Sequence, residues 1–150
     1  MQLIEVTPLQ LASWLGFDRT VEALRAEVEL PQFSGDASYD VDKYAAMHTA
    51  GHLSAFAVVD GEAELLAWGL LVHIKAGRRD KPTFVTDAMW SANPEAGHRL
   101  MQGMLAAARA AGVPLGVTAP VNGRLDIALQ QSPHAIRTHN VYTIATALRR

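Results

Sequence analysis

The sequence contains no cysteine, which excludes a disulfide framework, a thiolate metal site and a thiol nucleophile. It also lacks an apolar run approaching the ~20 residues of a membrane-spanning helix, and its first residues lack a signal-peptide pattern. Neither sign of charge dominates, because 13 Lys and Arg stand against 15 Asp and Glu for a formal net charge of -2. No overall field would draw such a chain to nucleic acid. We therefore expect no membrane and no nucleic acid among its partners, and no secretion.

Three motifs that define common enzyme classes are also missing. The chain has no Gly-x-Ser-x-Gly nucleophile elbow, no Gly-x-x-x-x-Gly-Lys-Ser/Thr phosphate loop and no Gly-x-Gly-x-x-Gly dinucleotide fingerprint. Elbow-type hydrolases, P-loop enzymes and dinucleotide-binding enzymes therefore find no support in the sequence.

The composition and the pattern of apolar residues predict a single domain over residues 1–150. Hydrophobic residues make up 49% of the 150-residue chain, which is enough to bury a real core. Apolar periodicity, helix-start residues and turn residues divide the chain into extended and helical runs. The predicted strands are residues 2–6, 53–59, 63–74, 83–91, 115–121 and 136–147, and the predicted helices are residues 8–15, 20–30, 41–50, 94–111 and 123–131.

The order of these runs predicts a mixed α+β sheet. The run at residues 63–74 is apolar on both faces and contains Trp68, which is typical of a central strand covered on both sides. Hairpin turns are predicted at residues 60–61 and 76–80, a loop at residues 32–40, and Thr20 is the predicted cap of the second helix.

The helix at residues 94–111 has clear start and stop signals. Asn93 is a good cap, Pro94 suits the first helical position, and Gly112 is a normal stop. An apolar stripe at helical spacing should pack this helix on the sheet. Its predicted members are Leu100, Met101, Met104, Leu105 and Ala108.

Three stretches in order resemble the GNAT superfamily of acyl-CoA N-acyltransferases, particularly the small GNAT-like proteins of tailed bacteriophages. Residues 56–62 and 66–69 are similar to its second and third strands, joined by Asp-Gly. Residues 86–90 and 93–95 resemble its fourth strand and the Pro-Glu that opens the acyl-CoA loop, and residues 127–131 resemble a later helix. The resemblance implies an α+β (mixed α/β) fold, a central, mostly antiparallel twisted sheet of six to seven strands with about four helices.

The sequence departs from this family at two functional positions. Family members read Pro-Glu-x-Arg-Gly-x-Gly-x-Gly before the helix, whereas the chain from Pro94 to Leu100 is roughly four residues short of that anion-binding nest. Many members carry a proton-donating tyrosine where Gln130 stands, and an amide cannot fill that role. The resemblance leaves four candidate cofactor contacts. They are Trp90, Gly97, His98 and Arg99.

Two residues are candidates for catalysis. Asp87 lies within an apolar strand and would act as a general base through water; the alternative is a structural carboxylate bonded to backbone where strands splay. His73, at the end of the central strand, would face a substrate groove or be an exposed hairpin residue. His48 and His52 have the i, i+4 spacing of zinc ligands, but Gly51 between them ends the helix, so no metal site is predicted.

Two functions follow from these observations. The first is a GNAT-like protein without acetyltransferase activity or cofactor, which binds a protein partner or larger assembly, with a homo-oligomer possible. The resemblance to phage relatives implies a virion or assembly component, in the bacterial cytoplasm or a phage particle. The alternative is an active acetyl-CoA-dependent N-acetyltransferase acting on a small-molecule or protein amine, with Asp87 or His73 as base.

Overall fold

Ten elements make up the part of the chain that the computed structural model describes, which is residues 1–28, 39–75, 82–117 and 124–133. Five are strands and five are helices within these ranges. In chain order they are β1 (Gln2–Val6), α1 (Pro8–Ala12), α2 (Phe17–Val28), α3 (Val41–Thr49), β2 (Leu53–Val59), β3 (Leu65–Ile74), β4 (Thr83–Ser91), α4 (Pro94–Ala111), β5 (Leu115–Gly116) and α5 (Arg124–Gln130).

The strands form one sheet in the order β1-β2-β3-β4-β5. Neighbours are antiparallel except β4 and β5, which are parallel. This confirms the mixed, mostly antiparallel fold class and the central position of β3, although the described residues contain five strands where six to seven were predicted. The predicted hairpin at 76–80, most of the predicted loop at 32–40, residues 118–121 of the fifth strand and the extended run at 136–147 lie outside the described residues.

The turn before β3 explains why this strand begins at Leu65 and not at residue 63. Ala63 has a left-handed φ of 61°, which no strand accommodates. The Asp60 carboxylate accepts the N–H groups of Glu62 and Glu64, each at 2.9 Å, and these bonds hold the turn tightly closed.

Helix α4 covers one face of the sheet, which we call the α4 face. Its buried residues follow i, i+4 spacing, and they are Ala96, Leu100, Met104 and Ala108. The predicted bounds of α4 are confirmed, but the predicted stripe was wrong at Leu105, which is 36% exposed. The apolar stripe is therefore narrower than predicted and includes Ala96 at its start. Gly69 and Gly103 permit this packing, because an added Cβ would collide with Met104 and Leu3 respectively.

Helices α1, α2 and α3 cover the opposite face, which we call the aromatic face. Its core contains Phe17 and Trp68, with Tyr39, Tyr44 and Trp90 half-buried against them. Among the described residues, every buried side-chain nitrogen and oxygen has a hydrogen-bond partner. The sheet is thus sandwiched between an aliphatic layer and an aromatic layer.

Thr20 is not the cap of the second helix, which corrects the sequence-based prediction. Helix α2 already begins at Phe17, so Thr20 lies inside its first turns and is buried. Its hydroxyl donates to the Phe17 carbonyl at 2.6 Å and accepts the indole N–H of Trp68 at 2.7 Å. A threonine in a helix interior satisfies its hydroxyl in this way, and here it also satisfies the buried indole.

Candidate functional site

The candidate site centres on a β-bulge in β4. Leu70 pairs with Ala88 and Leu71 pairs with Thr86, so Asp87 is the extra residue between two consecutive pairs. A bulge bends its strand and re-aims a side chain, and such irregularities are common beside active sites. Asp87 is exposed as a result, although its strand is otherwise partly or fully buried over residues 83–90.

Tyr44 on α3 holds the Asp87 carboxylate. The Tyr44 hydroxyl donates to Asp87 Oδ2 at 2.8 Å. Helix α3 is itself anchored by Asp40, whose carboxylate accepts the Lys43 N–H at 3.1 Å as an N-cap. Burial, reinforced by the hydrogen bond from Tyr44 and the charge of Asp87, raises the pKa of Tyr44 far above its usual value of 10.0. The hydroxyl therefore stays protonated and remains a donor to Asp87 at neutral pH.

Packed aromatic rings in the core of the aromatic face hold the Tyr44 ring in position. The Tyr44 ring centroid lies 5.1 Å from that of Tyr39, which in turn meets Phe17 edge-on at 4.8 Å. Phe17 contacts Trp68 at 5.0 Å. The Tyr39 hydroxyl donates to the Pro8 carbonyl at 2.9 Å, and burial raises the pKa of Tyr39 to about 12. This continuous aromatic cluster makes the position of the Tyr44 hydroxyl depend on the core itself.

The start of α4, where the resemblance implies a pyrophosphate site, is closed by the chain's own groups. Pro94 has no N–H, the Asn93 side chain accepts the Ala96 N–H at 2.8 Å, and the Asn93 carbonyl accepts the Gly97 N–H at 3.1 Å. The exposed Glu95 adds a negative charge to the first turn. The N–H groups of Ala96 and Gly97 are therefore both bonded within the chain.

The four candidate cofactor contacts do not share one surface. Gly97 packs against β4, where an added Cβ would lie 2.9 Å from Ser91 Oγ, while His98 and Arg99 are exposed on α4. Trp90 pairs across the strands with Trp68 and packs into the aromatic face, on the other side of the sheet from α4.

His73 lies on the α4 face, away from Asp87. Its Nε2 is 2.9 Å from Ser54 Oγ and its Nδ1 is 3.1 Å from the Gly51 carbonyl oxygen. The ring stacks on Phe84 with centroids 4.1 Å apart and an interplanar angle of 16°. His73 is half-buried and bonded at both ring nitrogens, neither an exposed hairpin residue nor a partner of Asp87.

Sequence reasoning missed Tyr44 and Ser54, which touch the two candidate residues. Tyr44 is 43 positions from Asp87, and Ser54 is 19 positions from His73, so neither pair forms a local motif. An Asp at the start of a helix followed by an aromatic one turn later would have drawn attention to α3. No comparable signal exists for Ser54.

Neither a metal cluster nor a membrane span was found in the described ranges. Within residues 1–28, 39–75, 82–117 and 124–133, no three His, Asp or Glu side chains gather as a metal ion would require. None of the helices in those same ranges combines the length and apolar content needed to cross a bilayer.

Comparison with known proteins finds likeness at the level of structure. No family model matches the sequence, and no curated protein matches it. A probable acetyltransferase superposes with a TM-score of 0.70 at 13% identity, over 99% of this chain and 100% of that one. A ribosomal-protein-alanine N-acetyltransferase from Brucella melitensis biovar Abortus 2308 gives a TM-score of 0.65 at 9% identity, over 96% and 99%. The aminoglycoside 6'-N-acetyltransferase AAC(6')-Ih from Acinetobacter baumannii gives 0.62 at 14%, over 99% of each chain.

Proposed function

We propose that this chain, which has the fold of the GNAT acetyltransferases, is a binding module that does not turn over acetyl-CoA. One observation carries this proposal. The N-terminus of α4 is occupied by Asn93, Pro94 and Glu95, at the position where the sequence resemblance implies a glycine-rich anion loop. The fold is kept while the usual cofactor cradle is filled by the protein's own capping groups.

The energetic consequence follows from the lost hydrogen bonds. A backbone N–H bound to a charged phosphate contributes ~1.5–3 kcal/mol. The amides of Ala96 and Gly97 are bonded to Asn93, so binding a pyrophosphate would first require breaking the helix cap. Glu95 would also repel the incoming anion at the end of the helix that otherwise attracts it. Loss of two or three such bonds weakens affinity by several orders of magnitude.

A second feature supports the same proposal from the chemical side. Gln130 is exposed at the end of α5, and its neutral amide cannot protonate a leaving thiolate near neutral pH. Restoring a tyrosine there by Gln130→Tyr should not create activity, because cofactor binding would still fail.

Titration calorimetry with acetyl-CoA tests the proposal directly. We expect a dissociation constant no tighter than about millimolar, equivalent to about −4 kcal/mol. The matched variant Glu95→Gln removes the repelling charge but keeps the Asn93 cap, so it should improve binding by less than tenfold. Micromolar binding by the unaltered protein would overturn the proposal.

An active N-acetyltransferase is the second candidate function, and the Tyr44–Asp87 hydrogen bond favours it. Asp87 is exposed on a bulge and oriented by Tyr44 Oη at 2.8 Å, which suits a carboxylate that accepts an amine proton through water. If acetyl-CoA supports turnover on a panel of amines, Asp87→Asn should abolish it. Tyr44→Phe should then lower kcat without removing activity, since it disturbs only the orientation of the base.

The partner of the binding module is proposed to be a protein. Among the described residues β1 is an edge strand, and we propose that its outer edge accepts an added strand from a partner or a second copy. The resemblance to phage proteins extends this to a component of a particle or its assembly. Light scattering would detect a homo-oligomer, and a purely monomeric chain that fails to enter any purified particle would count against the assembly role.

A further inference from the structure

The hydrogen bonds of His73 define its tautomer. The Gly51 carbonyl oxygen can only accept, so the bond of 3.1 Å requires a hydrogen on Nδ1. In the neutral ring Nε2 then carries a lone pair, and the Ser54 hydroxyl donates to it at 2.9 Å. A serine hydroxyl aimed at the basic nitrogen of an imidazole, with the other nitrogen fixed by a third group, is the arrangement that activates a nucleophile.

The surroundings hold this arrangement rigidly and suit a transient positive charge. The His73 backbone N–H donates to the His52 carbonyl at 2.9 Å, and the ring lies 4.1 Å from the face of Phe84. When the imidazole takes up a proton, the Gly51 carbonyl dipole and the Phe84 ring both interact favourably with the cation. Ser54 and His73 are each half-buried.

We propose that Ser54 and His73 form a nucleophilic dyad that is acylated by activated carboxylic esters. Ser54 Oγ attacks the ester carbonyl carbon while its proton passes to His73 Nε2. The carbon–oxygen bond to the alcohol then breaks, the alkoxide or phenolate leaves, His73 Nε2 releases its proton to solvent, and acyl-Ser54 remains. A water that gives its proton to Nε2 later attacks the acyl group, which releases the carboxylic acid and restores the Ser54 hydroxyl.

This site is independent of the proposed function at α4. It lies on the end of β2 and β3, on the α4 face, whereas Asp87 contacts Tyr44 on the aromatic face. An ester with a good leaving group needs no pyrophosphate cradle and no proton donor for its departure. Ester reactivity and acetyl-CoA binding can therefore fail or succeed separately.

The test uses p-nitrophenyl acetate with the full chain. We expect release of p-nitrophenolate with an initial burst, and intact-protein and peptide mass spectrometry should find one acetyl group on Ser54. Ser54→Ala should abolish labelling, whereas Ser13→Ala should leave it unchanged, because the Ser13 hydroxyl donates to the Gln10 carbonyl at 2.7 Å and not to a basic nitrogen.

The variant His73→Asn tests whether His73 acts as a base or only has a structural role. The asparagine side-chain amide can still donate to the Gly51 carbonyl from near the position of Nδ1, but asparagine has no basic nitrogen at the position of Nε2. We expect a folded variant, by circular dichroism, whose Ser54 acylation is at least 100-fold slower, the size of general-base effects. Acetyl groups found elsewhere but not on Ser54, or unchanged acylation of Ser54 in folded His73→Asn, would overturn the proposal.

Discussion

The two faces of the sheet are built from different side chains, aliphatic on the α4 face and aromatic on the opposite face. The α4 face is aliphatic, and Gly69 and Gly103 let Met104 and Leu3 approach the space that a Cβ would take. The aromatic face is a ring cluster whose outermost member, Tyr44, holds an exposed carboxylate. Each face thus contributes a different kind of packing to the same sheet: a single helix with a buried aliphatic stripe on one side, and linked aromatic rings on the other.

Trp68→Ala is the strongest test of the claim that the aromatic face is one continuous cluster. Trp68 is 1% exposed, lies on the central strand and contacts Phe17. Its truncation should lower the free energy of unfolding by ~3–5 kcal/mol through lost burial and a large cavity. Urea denaturation measures this change, and a loss under about 1 kcal/mol would contradict the central placement.

Leu100→Ala is the matched substitution on the α4 face. Leu100 is 2% exposed, so its truncation should also cost ~2–5 kcal/mol. The two variants should differ in the near-ultraviolet circular dichroism of the folded state, which reports on ordered aromatic rings. Only Trp68→Ala should change the signal of the remaining tyrosines. Equal spectral changes in both variants would mean that the two layers are not separate.

Thr20→Val tests the polar link within the aromatic face. Valine keeps the shape of threonine but leaves the buried Trp68 N–H without its acceptor at 2.7 Å. An unsatisfied buried donor costs ~1–3 kcal/mol, so unfolding should move to lower urea by that amount. Thr20→Ser keeps the hydroxyl and should recover most of the stability. If valine and serine behave alike, the indole hydrogen bond contributes nothing measurable.

Local chemistry explains which parts of this fold were predictable. Asn93, Pro94 and Gly112 mark the ends of α4 by their own conformational preferences, and Gly112 indeed has a left-handed φ of 70°. The central position of β3 followed from its apolar residues on both faces. These signals lie within the elements they define, so they are readable without tertiary structure.

The rest depends on which residues meet across the sheet. The bulge at Asp87 exists because Leu70 and Leu71 pair with Ala88 and Thr86, and no local pattern encodes that one-residue shift. Thr20 matches a capping residue in sequence, yet it lies in α2 because that helix starts at Phe17. The candidate site was therefore predicted only as isolated residues, without the partners that orient them.

Alkaline pH offers the finest distinction between the faces, because tyrosines in the described residues lie on the aromatic one. Burial raises the pKa of Tyr39 to about 12 from its usual value of 10.0. Above pH 10 the unfolded chain releases this proton while the folded protein keeps it, so unfolding is favoured as pH rises. The stability contribution of the protonated Tyr39 is complete below pH 10.0 and is lost progressively up to about pH 12.

The variant Tyr39→Phe removes this titration, and it also removes the hydrogen bond to the Pro8 carbonyl. We expect a slightly lower stability at pH 7 but a shallower decline between pH 10 and 12, measured by urea midpoints. Leu100→Ala should keep the steep decline, and an identical pH slope in Tyr39→Phe and the unaltered protein would show that Tyr39 ionises freely in the folded state.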